Sequence, residues 1–330
     1  MCMMHYHAGS AGSQSFPDRS DREHEERTMP EETPLSMGFG RKVYSVHNHV
    51  GALEPWPFYE SDVPISPADP GPATPEELDH FMRCRGIERT LILPNYGIPV
   101  QSQPFEQNEL VVQLCREEQG RVAGALWVSG LPKNREMTLR ALQMTDEPGI
   151  MGLKMSYLLG GTADPRQWDE ATTALHEAIF RYAIERDLPI HFHTSPGGGS
   201  DIVGFFELIK RWGKDLRIHL VHMGGGVSGH IRLLSQWRDL IEGGYRITID
   251  TSWAIGFAVR RLLQEVERTG VGVDRIMFGC DEPWSDYESE FWKIQGARIS
   301  DEIKERIFWG NAQEQYFNKL DKGKSPLAIN

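Results

Sequence analysis

The chain has 330 residues, enough for one large domain or two small ones. Its formal charge of -12 argues against a nucleic-acid or anionic-membrane surface, both of which call for a basic patch. No run is apolar enough to span a bilayer, no signal-peptide core follows the start, and four scattered cysteines (Cys2, Cys84, Cys115, Cys280) suit neither a disulfide framework nor a cysteine-based zinc site, so a reducing cytoplasm is the expected home.

Residues 1–38 are Ser, Asp, Glu, Arg, Pro and Gly with almost no apolar periodicity, which reads as a disordered leader. Met29 and Met37 are later candidate starts, and the His5-Tyr6-His7 triplet in this stretch has no strand or neighbouring ligand to support it. Residues 39–322 form the expected single domain, with 323–330 as a short tail. Across that domain short β-branched runs alternate with longer amphipathic ones. Strands are expected at Val43 to His49, Arg89 to Leu93, Val122 to Val128, Gly149 to Lys154, Leu188 to His193, Arg217 to His222, Arg246 to Asp250 and Arg275 to Gly279. Thr74-Pro75-Glu76-Glu77 offers an N-cap, a proline at the first helical position and a capping-box glutamate. Asp169 to Arg186, Asp201 to Trp212, Ala258 to Arg268 and Ser300 to Trp309 follow the helical period. About eight such units predict an α/β fold, a (β/α)8 TIM barrel in one domain. An open doubly wound sheet lacks support, because no Gly-x-Gly-x-x-Gly follows an early strand.

Barrel chemistry gathers at the C-terminal ends of the strands. The first strand ends in His47-Asn48-His49, and an i, i+2 pair on a strand shares one face. Two neutral imidazoles are a poor core and a good pair of ligands for zinc or a similar ion. The fourth strand ends in Lys154, the fifth carries His191 and His193, the sixth ends in His222, and the eighth is followed by Asp281. Each has a bland reading: a core histidine, a turn-capping aspartate, an ammonium paired with a carboxylate. His191 lies one layer deeper than His193, and His219, of opposite parity to His222, is expected to face a helix. The Gly197-Gly198-Gly199 and Gly224-Gly225-Gly226 runs read as flexible turns.

His47-Asn48-His49, His193, His222-Met223-Gly224-Gly225 and Phe278-Gly279-Cys280-Asp281, in this order, resemble the amidohydrolase superfamily, most closely its amidohydrolase-related branch that includes aminocarboxymuconate-semialdehyde decarboxylase. The resemblance runs from about Val43 to Phe317 and takes in Asn311-Ala312. It implies one divalent ion, taken here as zinc, held by His47, His49, His193 and Asp281, with His222 and Asp281 as acid/base groups. Three imidazoles and a carboxylate suit zinc, which brings a water to a pKa of ~7. Other branches carboxylate a strand-four lysine to bridge two ions. A carboxylated Lys154 would make the site binuclear.

Hydrolysis of a C–N or C–O bond and non-oxidative decarboxylation of an unsaturated or aromatic acid compete on this scaffold. The second needs a cation for the carboxylate, and no arginine stands at the strand ends, which favours hydrolysis. Lys133 and Lys154 remain as cations, and Lys154 also keeps oxidative two-metal chemistry open. A metal-free barrel used as a binding protein would lack a ligand, and none is missing. Trp56, Tyr96, Trp253, Glu282 and Trp284 are the expected substrate contacts, lining a slot for a cyclic or aromatic small molecule. A homodimer is the default assembly.

Overall fold

The computed structural model describes residues 40–51, 56–57, 64–65, 71–95 and 103–322. The leader, the 323–330 tail, Tyr96 and the side chain of Trp56 lie outside the described residues.

Eight parallel strands succeed one another around the sheet: β1 (Val43–Val50), β2 (Ile87–Pro94), β3 (Val122–Trp127), β4 (Ile150–Met155), β5 (Ile190–His193), β6 (Ile218–Val221), β7 (Ile247–Asp250) and β8 (Ile276–Met277). The ring is closed by hydrogen bonds from Val46 N to Phe278 O (2.9 Å), Asp281 N to His47 O (2.7 Å) and His49 N to Glu282 O (2.9 Å). The segment after β8 therefore runs against β1 and carries Asp281 to the two histidines. Such a closed sheet has no free edge.

The flanking helices begin where the side chains supply caps. In α1 (Pro75–Arg85) Thr74 Oγ1 accepts from Glu77 N and Glu77 Oε2 accepts from Thr74 N, the reciprocal capping box expected there. Asp169 and Asp201 cap the helices Glu170–Glu185 and Ile202–Trp212. The helix Gly226–Glu242 starts inside the second glycine run. That run is packed rather than free, because a Cβ on Gly225 would lie 2.5 Å from Ser195 N. Among the described residues no helix is long and apolar enough to cross a membrane.

Two apolar layers hold the barrel. Ile190, Phe192, Ile218 and Leu220 face outward onto helix residues such as Phe205 and Leu208, each contributing roughly 1.5–3 kcal/mol by burial. Tyr44, Val46, Leu91, Leu93, Ala123, Ala125, Met151 and Met277 fill the inside together with Tyr316 and Phe317 of the C-terminal helical segment. The far side of the interior is polar: Lys154, His191, His219 and Asp250 are all fully buried.

His219 corrects one expectation. It faces the interior, with its ring centroid 4.3 Å from that of His191, and not a helix. β6 ends at Val221, and His222 (φ 64) and Met223 (φ 50) then adopt left-handed backbone, so parity counted back from His222 does not apply. β1 carries a similar irregularity. Ser45 pairs with Thr90 but Asn48 with Ile92, so three steps on β1 match two on β2. This bulge lets Tyr44 and Val46 fill the interior while His47 and His49 still turn towards the mouth.

Candidate metal centre

His47 Nε2, His49 Nε2 and Asp281 Oδ1 meet at one point. The two nitrogens are 3.2 Å apart, and the oxygen lies 3.0 Å from the first and 3.1 Å from the second. The partners on the other ring nitrogens decide what these atoms carry. His49 Nδ1 is 2.9 Å from the Pro94 carbonyl, which can only accept, so Nδ1 bears the hydrogen and Nε2 a lone pair. His47 Nδ1 is 3.2 Å from Asp250 Oδ2, with the same consequence. With both imidazoles neutral, two nitrogen lone pairs and a carboxylate oxygen thus converge with no donor among them. Asp281 Oδ1 is buried and accepts no hydrogen bond. A cation relieves that arrangement, and imidazoles oriented through their second nitrogen by a carbonyl or carboxylate are the usual dress of a metal ligand. The residues fit a divalent ion.

The electrostatics agree. Burial depresses His47, but the carboxylates of Asp281 and then Asp250 outweigh it and lift the group above its ordinary value. His49 is lowered by burial. Asp281 is held well below the usual carboxylate range by His47 and His222 despite its burial.

Among the described residues two sets of three candidate ligand atoms lie within 4.8 Å of one another: His47, His49 and Asp281, and His47, His222 and Asp250. His193 is in neither set. Its ring meets His222 edge to face, with centroids 4.8 Å apart, and burial holds it well below its ordinary value. His222 stacks on His47 at 5.2 Å, and its Nε2 is 3.8 Å from Asp281 Oδ2. Its Nδ1 lies 2.9 Å from Ser252 Oγ and 3.2 Å from the Ser252 carbonyl, so Nδ1 carries the hydrogen and Nε2 is bare. Burial lowers His222 to about 4, which keeps it neutral at pH 7.

Lys154 is fully buried on β4, and its ammonium has no hydrogen-bond partner. Burial brings it down to about 8 against the pull of Asp281 and Asp250. Trp253, at φ 54, keeps 55% of its surface exposed, with its ring 6.2 Å from His222 and its main-chain N–H donating to Glu290 Oε1 at 3.2 Å. Asp281 (φ 56), like Trp253 and His222, has left-handed backbone, so strain is concentrated at the mouth. Trp284 donates to Asn95 Oδ1 at 3.1 Å. Glu282 is bound to Arg85 of α1 and to the Tyr287 amide, which ties its loop to a helix.

Sequence reasoning passed over Asp250. It is fully buried at the end of β7, holds His47 and His219, and is kept well below its ordinary value by them against the effect of burial. Its one signal was position, a carboxylate closing an apolar strand as Asp281 follows another.

A family model described as Amidohydrolase matches residues 46–317. No curated protein matches the chain. Solved structures share the fold at low identity. A probable 2-pyrone-4,6-dicarboxylic acid hydrolase from Acinetobacter baumannii with citric acid bound is 12% identical, covering 84% of this chain and 100% of that one, at a TM-score of 0.57. A 5-carboxyvanillate decarboxylase from Novosphingobium aromaticivorans, complexed with manganese and a nitrobenzoic acid, is 17% identical over 85% and 97% of the two chains, at a TM-score of 0.61. A 2,6-dihydroxybenzoate decarboxylase from Rhizobium is 16% identical over 85% and 99%, at a TM-score of 0.58.

Proposed function

The chain belongs to the amidohydrolase family, and on that premise we propose that it is a metal-dependent hydrolase cleaving a C–N or C–O bond of a small, planar substrate. His47, His49 and Asp281 hold the ion, zinc in this reading, with His193 completing its surroundings from β5. A divalent ion held there supplies Lewis acidity, polarising a carbonyl and making water a stronger acid. The observation that carries hydrolysis is the state of His222. Its hydrogen is committed to Ser252, so the nitrogen facing Asp281 accepts a proton and has none to give. A base at that place removes a proton from water, and Asp281 Oδ2 on the other side can share it. Trp253 and Trp284 form walls for a flat substrate.

Decarboxylation is the second reading, favoured by Lys154. A buried ammonium without a hydrogen-bond partner can hold a substrate carboxylate, which answers the absence of an arginine at the strand ends. As a free ammonium, Lys154 also keeps the ion count at one, and an intact mass showing it carboxylated would make the site binuclear. The reactions separate by product. Turnover in 18O-labelled water puts label into the product of a hydrolase, whereas release of CO2 with no label in the remaining organic product would overturn the proposal. The acidic charge and the free cysteines Cys84, Cys115 and Cys280 support a cytoplasmic enzyme working on a small molecule, with a homodimer as its default assembly.

A further inference from the structure

We propose that Asp250, acting with Ser252, is the positioning group that fixes which nitrogens of His47 and His222 carry hydrogen, tying the ion-holding imidazole to the base across the barrel mouth. The inference rests on reading those two histidines as ligand and base.

Every group that meets the Asp250 carboxylate is a donor. Oδ2 faces His47 Nδ1 at 3.2 Å and His219 Nε2 at 3.0 Å. Oδ1 faces the main-chain N–H of His222 at 3.2 Å, that of Ser252 at 3.1 Å and the Ser252 hydroxyl at 2.6 Å. Only an ionised carboxylate satisfies five donors with no hydrogen of its own. The serine extends the direction of the chain. Having given its hydrogen to Asp250, Ser252 Oγ presents lone pairs to His222 Nδ1 at 2.9 Å and to His47 Nδ1 at 3.2 Å. Donation thus runs from both imidazoles towards one carboxylate, which leaves both Nε2 atoms bare and aimed at the mouth. The approach of His47 to Asp250 requires Gly279 between them. A Cβ there would lie 2.9 Å from His47 Cβ and 3.3 Å from Asp250 Cβ.

Asparagine in place of Asp250 must turn an N–H2 towards one set of donors whichever way it lies. Long-range 1H–15N spectra of the full, metal-free chain labelled at histidine read the tautomers directly, at a pH high enough for His47 to be neutral. The native chain should carry hydrogen on Nδ1 of both residues. Asp250→Asn should move hydrogen to Nε2 on His47, and Gly279→Ala, which changes no hydrogen-bonding group, should give His47 a mixture. Ser252→Ala should disturb His222 only partly, because the Ser252 carbonyl remains. Zinc titrations of the same proteins should show Asp250→Asn weakening affinity by roughly 10–100-fold. If His47 keeps its Nδ1 hydrogen in both Asp250→Asn and Gly279→Ala, the positioning role is overturned, whatever the titrations give. If the tautomers shift as expected while the native chain binds no zinc, the positioning role stands and the ligand reading falls.

Discussion

Asparagine at Asp281 separates two effects of one carboxylate. In the native chain Asp281 Oδ1 sits 3.0 and 3.1 Å from two nitrogens that bear lone pairs. Without an ion these atoms repel until a proton enters, the source of the upward shift of His47. An amide nitrogen in the same place donates to those lone pairs. One or two new hydrogen bonds contribute about 1–2 kcal/mol. Against that gain, the ionised carboxylate is itself favoured in the fold, held well below its ordinary range by His47 and His222 and attracting Lys154, so its removal costs stability of the same order and the metal-free difference between the two chains is small. With ion at about a thousand times its dissociation constant, the native chain gains about 4 kcal/mol that the variant forgoes. The two chains should therefore unfold close together after chelation and separate by about 4 kcal/mol with zinc or manganese added, the native chain higher. Thermal unfolding in the two conditions measures both. An Asp281→Asn chain that gains as much from the ion as the native chain refutes the reasoning.

His222→Ala should retain a full complement of ion by metal analysis while kcat falls roughly 10²–10⁴-fold, since it removes a base and no ligand; loss of the ion would instead make His222 a ligand. Glu290, raised to about 7 by burial against the pull of Lys293, favours its neutral form in the fold. Its contribution is present below the ordinary carboxyl value and is lost as pH rises through about 7, so Glu290→Gln should flatten the decline of chemical-denaturation stability across that window. An unchanged slope would show that Lys293 keeps Glu290 ionised. Thr74→Ala removes one half of the capping box and should lower stability by about 1 kcal/mol in urea unfolding, with Thr74→Ser restoring it.

Much of the architecture was legible because the signals are local. β1 to β8 lie within a few residues of the expected runs, and the caps at Thr74, Asp169 and Asp201 lie where single side chains place them. The helix Gly226–Glu242 was hidden because its start is a glycine run, and Gly225 and Gly226 pack against Ser195 and Pro196, which only the fold reveals. His219 was misplaced because its strand ends one residue before His222 and the backbone turns left-handed there. Of the expected ligands, His47, His49 and Asp281 share one point, with His193 beside them against His222.

Residue order by itself determined that histidines and an aspartate would close apolar strands of one barrel, since strand period and burial act over a few neighbouring positions. It did not determine where their hydrogens lie. That was decided by Pro94, Asp250 and Ser252, acceptors that reach His47, His49 and His222 only after the ring of strands has closed. A tautomer depends on whichever group stands within about 3 Å of the second nitrogen, and no local pattern in the chain encodes that neighbour.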